Sequence, residues 1–74
     1  MFFSSTKELG ELIKAIRKSQ RMTQSELAGA SGTGVRFIVD LEKGKPTSEV
    51  EKVILVTTML GIKLEAHMPE DING

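Results

Sequence analysis

The chain has 74 residues, 39% of them hydrophobic, which suits one small domain whose single core is marginal unless its helices pack well or chains pair. Cysteine is absent, so disulfides and thiolate metal sites are excluded, and the longest apolar run, 53–56, is far too short to span a bilayer. Formal net charge is zero, yet residues 1–45 carry eight basic against five acidic side chains (+3) and residues 46–74 carry two against five (−3). Either the N-terminal part is built to meet an anion or the charges are a solvated mixture. The opening segment MFFSSTKELG has no basic stretch ahead of a long apolar one, so a soluble, cytoplasmic protein is expected.

Phe2 and Phe3, two of three aromatics in the chain, either cover an edge of the core or mark a partner contact. Ser5 and Glu8 have capping-box spacing, and Leu9, Leu12, Ile13 and Ile16 follow at i, i+3, i+4 and i+7. A helix is predicted over about 6–19, with Lys14, Lys18 and Arg21 on its opposite side and far end. Arg17 falls at the margin of the apolar stripe, where a covered guanidinium needs a partner.

Thr23 and Glu26 form a second capping box, which starts a helix at about 24–30. Ser31-Gly32-Thr33-Gly34 ends it, with two glycines able to take positive φ. Val35, Ile38 and Leu41 then predict a helix over about 35–43, stopped by Gly44 and Pro46. With Gln24 counted as position one, Leu27 and Ala28 fall at four and five, Gly32 at nine, Ile38 at fifteen and Leu41 at eighteen. These offsets are the packing arithmetic of a DNA-binding helix-turn-helix. The small residue lets two helices approach, glycine permits the turn, and the branched residues close the wedge.

Ser48 and Glu51 offer a third capping box, and Val50, Val53, Ile54, Thr57 and Leu60 line a helix over about 49–60, ended by Gly61. Residues 62–67 begin with the alternation Ile62-Lys63-Leu64-Glu65-Ala66, the period of a half-buried strand. No second strand is available in the chain. The segment therefore either pairs with its own copy across a two-fold axis, placing Ile62, Leu64 and Ala66 at a dimer interface, or packs as an irregular tail. Residues 69–74 read as disordered. The expected fold is all-α, a lambda-repressor-like bundle of four to five helices within residues 1–68, with a short C-terminal strand paired across a dimer.

In such a motif the second helix enters the major groove and its N-terminal residues face base edges. Those residues are Gly34, Val35 and Arg36, then Val39 and Asp40 one turn on. Arg36 can bond guanine O6 and N7 together, or hold a phosphate. Val35 and Val39 offer methyl contacts suited to thymine, and Gly34 allows close backbone approach. Asp40 is repelled by phosphate unless it accepts from cytosine N4 or pairs with Arg36. Thr23, Gln24, Lys43 and Lys45 are candidates for phosphate contacts, Gln24 through its amide and the N–H beside it, and Arg17 is counted with them. Each could instead be ordinary surface.

Catalysis has little support, since the one histidine, His67, stands in the weakly structured end and neither cysteine nor tyrosine occurs. The glycines of GASGTG make neither a GxGxxG nor a Walker loop. No cofactor or metal is expected.

These residues resemble the Xre/phage-repressor family of helix-turn-helix domains. The frame is Leu9-Gly10, Ile13, Arg17, Met22-Thr23-Gln24, Glu26-Leu27-Ala28, Gly32, Ile38, Leu41-Glu42, Gly44-Lys45 and Leu60-Gly61. More narrowly, Arg36-Phe37-Ile38, Leu41-Glu42, Gly44-Lys45-Pro46-Thr47 and Gly61-Ile62-Lys63-Leu64 are similar to HipB-like antitoxins, short autorepressors encoded beside HipA-like kinase toxins. The resemblance implies an Arg17–Glu42 pair joining the first helix to the end of the recognition helix. It also implies a homodimer on a two-fold operator, joined in HipB-like members through a C-terminal strand, and a kinase partner bound away from the DNA face. Many relatives carry polar or basic side chains where Gly34 and Val35 stand. A phage-type or stand-alone repressor without a toxin, or a helix-turn-helix scaffold that binds only proteins, are the alternatives.

Overall fold

The computed structural model describes residues 4–65, which form four helices: α1 (Thr6–Ser19), α2 (Gln24–Ser31), α3 (Val35–Glu42) and α4 (Val50–Met59). Phe2, Phe3, Ala66, His67 and the 69–74 tail lie outside the described residues. The fold is the expected all-α helix-turn-helix bundle, and α1 and α2 start where their caps place them.

The caps act at the atomic level with one full success. At α2, the Glu26 N–H donates to the Thr23 hydroxyl at 3.0 Å while the Glu26 carboxylate accepts from the Thr23 N–H at 2.8 Å. At α1, the Glu8 N–H donates to the Ser5 hydroxyl at 3.1 Å, but the carboxylate reaches one residue further back, to the Ser4 N–H at 3.0 Å and hydroxyl at 2.7 Å. The third box does not form. Glu49 caps α4 without a side-chain bond to the helix, its N–H donates to the Thr47 hydroxyl at 3.0 Å, and its carboxylate pairs with Lys52 at 3.0 Å. Thr47 thereby replaces Ser48, and α4 begins at Val50.

The core gathers Leu9, Ile13, Leu27, Ala28, Ile38, Leu41, Val56 and Leu60, with Ile16, Met22, Phe37, Val53 and Ile62 packed against it. Every apolar position of the helix-turn-helix count is therefore buried: Leu27, Ala28, Ile38 and Leu41. The stripe of α4 is rotated from the expected one. Val53, Val56, Thr57 and Leu60 face inward, whereas Val50 and Ile54 are 62% and 48% exposed. Thr57 enters this apolar surface because its hydroxyl donates back to the Val53 carbonyl at 3.0 Å, satisfying a group that burial would otherwise strand.

Within the turn, Gly32 takes φ 72° and closes α2 with the paired backbone bonds of a Schellman motif, Thr33 N–H to Ala28 O and Gly32 N–H to Gly29 O. Gly34 differs from the expectation, standing at φ −91° as the N-cap of α3. One left-handed residue is enough to reverse the chain here, since Ser31 stabilises the same turn from its side chain, sharing a 2.9 Å bond with the Thr33 hydroxyl. At the end of α1 the left-handed position falls to Arg21, φ 57°, the one non-glycine residue with positive φ among those described.

Residues 62–65 carry no strand assignment, and no strand occurs among the described residues. A strand is defined by its ladder, and among the described residues this segment has no strand to pair with. Ile62 turns back onto the core, its N–H donating to the Thr57 carbonyl at 2.8 Å.

Candidate nucleic-acid interface

Three anchors fix α3 against α1. The Thr6 hydroxyl donates to the Gly44 carbonyl at 2.7 Å just past the end of α3. Gly10 provides the second, because a Cβ built there would stand 2.8 Å from the Glu42 carbonyl oxygen and collide with that of Leu41. Only a residue without a side chain lets the two backbones meet. The third is the pair between Arg17 and Glu42. The Arg17 Nε donates to Glu42 Oε2 at 2.6 Å and Nη2 to Oε1 at 3.0 Å, while Nη1 donates to the Met22 carbonyl at 2.7 Å.

Both side chains of this pair are nearly sealed from solvent, at 8% and 3% exposure. Each guanidinium nitrogen has an acceptor, so the desolvation that burial imposes is met by hydrogen bonds as well as by charge. The hydrogen bond to Glu42 holds the Arg17 pKa above its ordinary value, against burial. Arg17, a phosphate candidate by sequence, is instead buried. All three nitrogens are committed inside the protein, so its part is to brace α3.

Gln24 joins the same cluster, its Nε2 donating to Glu42 Oε1 at 3.1 Å. The Glu42 carboxylate thus receives from α1 and from the first residue of α2 while standing at the last residue of α3. One buried anion sets the relation of three helices. The need of Arg17 for a partner is legible in its position beside the apolar stripe, but the link to Gln24 depends on the crossing of α2 and α3 and has no local signature.

With Ile38, Leu41 and Glu42 turned inward, the opposite side of α3 presents the other candidates. Gly34, Val35 and Arg36 are exposed, and the Arg36 side chain is 87% accessible. Val39 and Asp40 follow one turn later, half-buried. Arg36 Nε lies 3.6 Å from Asp40 Oδ1, and Lys45 Nζ lies 3.7 Å from Asp40 Oδ2. The carboxylate thus sits between two cations at ion-pair distance. Lys43 is exposed at the C-terminal end of the same helix.

Thr23 and Gln24 stand at the positive end of α2, the first exposed and the second half-buried. The Glu26 carboxylate beside them is held below its ordinary pKa, first by the Thr23 N–H and then by the Thr23 hydroxyl. The surface brought together is therefore a helix start flanked by hydroxyl and amide groups, an outward helix face with an exposed guanidinium beside Asp40, and two lysines at its far edge. Among the described residues no cluster of histidine, aspartate or glutamate could hold a metal ion, and no helix is long and apolar enough to cross a membrane.

A family profile described as helix-turn-helix matches residues 13–66. The chain is 47% identical over 62 residues to the HTH-type transcriptional regulator y4mF of Sinorhizobium fredii, an alignment covering 84% of this chain and 82% of that protein. It is 30% identical over 63 residues to the immunity repressor protein of Bacillus phage phi105, covering 85% of this chain and 44% of the repressor. Among solved structures, HipB in the HipA–HipB–O2–O3 complex superposes with a TM-score of 0.82 at 20% identity, over 95% of this chain and 99% of that one. The restriction-modification controller protein C.AhdI from Aeromonas hydrophila superposes with a TM-score of 0.71 at 21% identity, over 78% and 88% of the two chains. The last two likenesses concern the fold alone. Together with the braced, outward-facing α3, the family match and the y4mF relation establish that the chain belongs to the Xre-type helix-turn-helix family of DNA-binding transcriptional regulators.

Proposed function

We propose that the protein is a homodimeric, sequence-specific autorepressor and the antitoxin of a HipBA-like toxin–antitoxin module. The observation that carries the DNA-binding part is the outer face of α3, where the 87% exposed Arg36 side chain stands on a helix locked from behind by Arg17 and Glu42. In this reading Gly34, Val35, Arg36, Val39 and Asp40 meet base edges. Thr23, Gln24, Lys43 and Lys45 meet phosphates, and Arg17 acts only through Glu42 and Gln24.

The dimer part is supported by an open apolar cleft of about 610 Å³ between α4 and the following segment, lined by Ile54, Thr58, Ile62 and Leu64 among others. Leu64 is 43% exposed at its edge. A second copy that pairs its own Ile62–Leu64 segment there would supply the missing ladder and cover the cleft. The antitoxin part is supported by the run Arg36-Phe37-Ile38 through Gly61-Ile62-Lys63-Leu64 and by the full-length likeness to HipB. The relation to the phage immunity repressor favours a second reading, a repressor with no toxin.

Three to five phosphate contacts per protomer give a slope of log K against log salt of roughly −5 to −9 for the dimer. A flat salt response defeats the DNA-binding reading and favours a protein-binding scaffold. Coexpression with the neighbouring genes separates the other two: a HipA-like kinase copurifies with an antitoxin, and none does with a stand-alone repressor.

A further inference from the structure

Two apolar side chains of α3 lie outside the core, Val35 exposed and Val39 half-buried. Val35 is 47% exposed and Val39 lies one turn on in the same row. Neither belongs to the buried cluster or to the residues packed against it. Valine is also a poorer helix former than alanine, so an eight-residue helix gains nothing locally from carrying them outside. Gly34, immediately before them, has φ −91° and open space where a Cβ would stand. As the N-cap of α3 it leaves this end of the face without a side chain.

Arg36 occupies the adjacent row, 87% exposed. The face therefore sets one guanidinium beside an apolar, β-branched pair with no hydrogen-bonding capacity. Among the edges displayed in a major groove, the C5-methyl group of a pyrimidine is the largest apolar feature. Against any other edge the valines would cover donors or acceptors without replacing their bonds to water. We infer that Val35 and Val39 form a contact for a pyrimidine C5-methyl group, thymine in ordinary DNA, next to a guanine met by Arg36. This rests on the DNA-binding reading above.

The test uses the site that the full chain selects from a random DNA pool, with each thymine of a half-site replaced in turn by deoxyuridine. That change removes the methyl group and leaves every hydrogen-bonding atom in place. At the contacted position the binding constant should fall about fourfold, the equivalent of about 0.8 kcal/mol for one buried methyl group. Val35→Ala and Val39→Ala, both at positions outside the core, should bind the uridine and thymine sites alike at that position. Cytosine and 5-methylcytosine placed there distinguish the sources. A gain from the added methyl assigns the contact to the group whichever pyrimidine bears it, and no gain with the uridine loss intact assigns it to thymine. Equal binding of thymine and uridine at every position overturns the inference and leaves the DNA-binding reading standing. Recovery of no site from the pool overturns both.

Discussion

Glu42 receives three hydrogen bonds from two helices, and its replacement leaves a guanidinium sealed in the protein without its counter-charge. Removing one partner of such a buried pair costs about 3 to 5 kcal/mol, a large share of the stability of a domain this small. Glu42→Ala should therefore lose most of its folded population in mild urea at 25 °C, and a loss below about 1 kcal/mol would contradict the brace. The joint change Arg17→Met with Glu42→Leu should recover much of that stability, because no charge then remains buried. It should not recover the position of Gln24. The pair was foreseen from the place of Arg17 beside the apolar stripe and from the family resemblance, whereas the third bond was not. Gln24 meets Glu42 only because two helices cross, and no spacing along the chain records a crossing.

At the scale of elements, capping chemistry and periodicity reproduced α1, α2 and α3 to within a residue. The Thr23–Glu26 box formed as its spacing required, since both groups lie within one turn and nothing competes for them. At α4 the Ser48–Glu51 box gives way to another cap: Glu49 stands at the helix start, its N–H held by Thr47 and its carboxylate by Lys52. The rotation of the α4 stripe has a similar origin, because with Val, Ile and Leu in an unbroken run, several faces are apolar and only the neighbouring helices choose among them.

Two consequences belong to these elements. Gly10 lies where a Cβ would meet the last carbonyls of α3, so Gly10→Ala should destabilise the domain by about 1 to 3 kcal/mol through overpacking. The same change at an open helix position would instead stabilise it by up to about 1 kcal/mol. Thermal unfolding distinguishes the two by sign, and a raised midpoint would refute the close approach. For Glu26, the folded-state pKa is depressed below its ordinary value of 4.5 by the Thr23 N–H and hydroxyl. Its contribution is therefore fully present above about pH 4.5 and is lost as pH falls through the lowered value. The difference in melting temperature between the wild type and Glu26→Gln should be constant near neutrality and shrink on acidification below that range. A difference independent of pH would show that the carboxylate charge has no part in the cap.

The molecule as a whole divides its surface as it divides its charge. The N-terminal part, with a net charge of +3, holds α1, α2 and α3 and the face assigned to DNA, and the C-terminal part, at −3, holds α4 and the apolar cleft. Zero net charge is thus compatible with an anionic partner, because the excess of each sign falls in a different part of the chain. The expected strand at 62–67 belongs to this scale too. Its alternation is legible in the sequence, but no strand occurs among the described residues, and Ala66 and His67 lie outside them.

If the outward face of α3 reads bases while other surfaces hold the backbone, selected base preferences will show it. Wild type and Arg36→Ala, each used to select sites from the same random pool, should both return a palindrome with half-sites about one helical turn, roughly 34 Å, apart. The variant should lose the guanine preference at one symmetric pair of positions, with affinity lower by about 1 to 3 kcal/mol and the remaining preferences intact. An unchanged preference profile for Arg36→Ala would contradict the account.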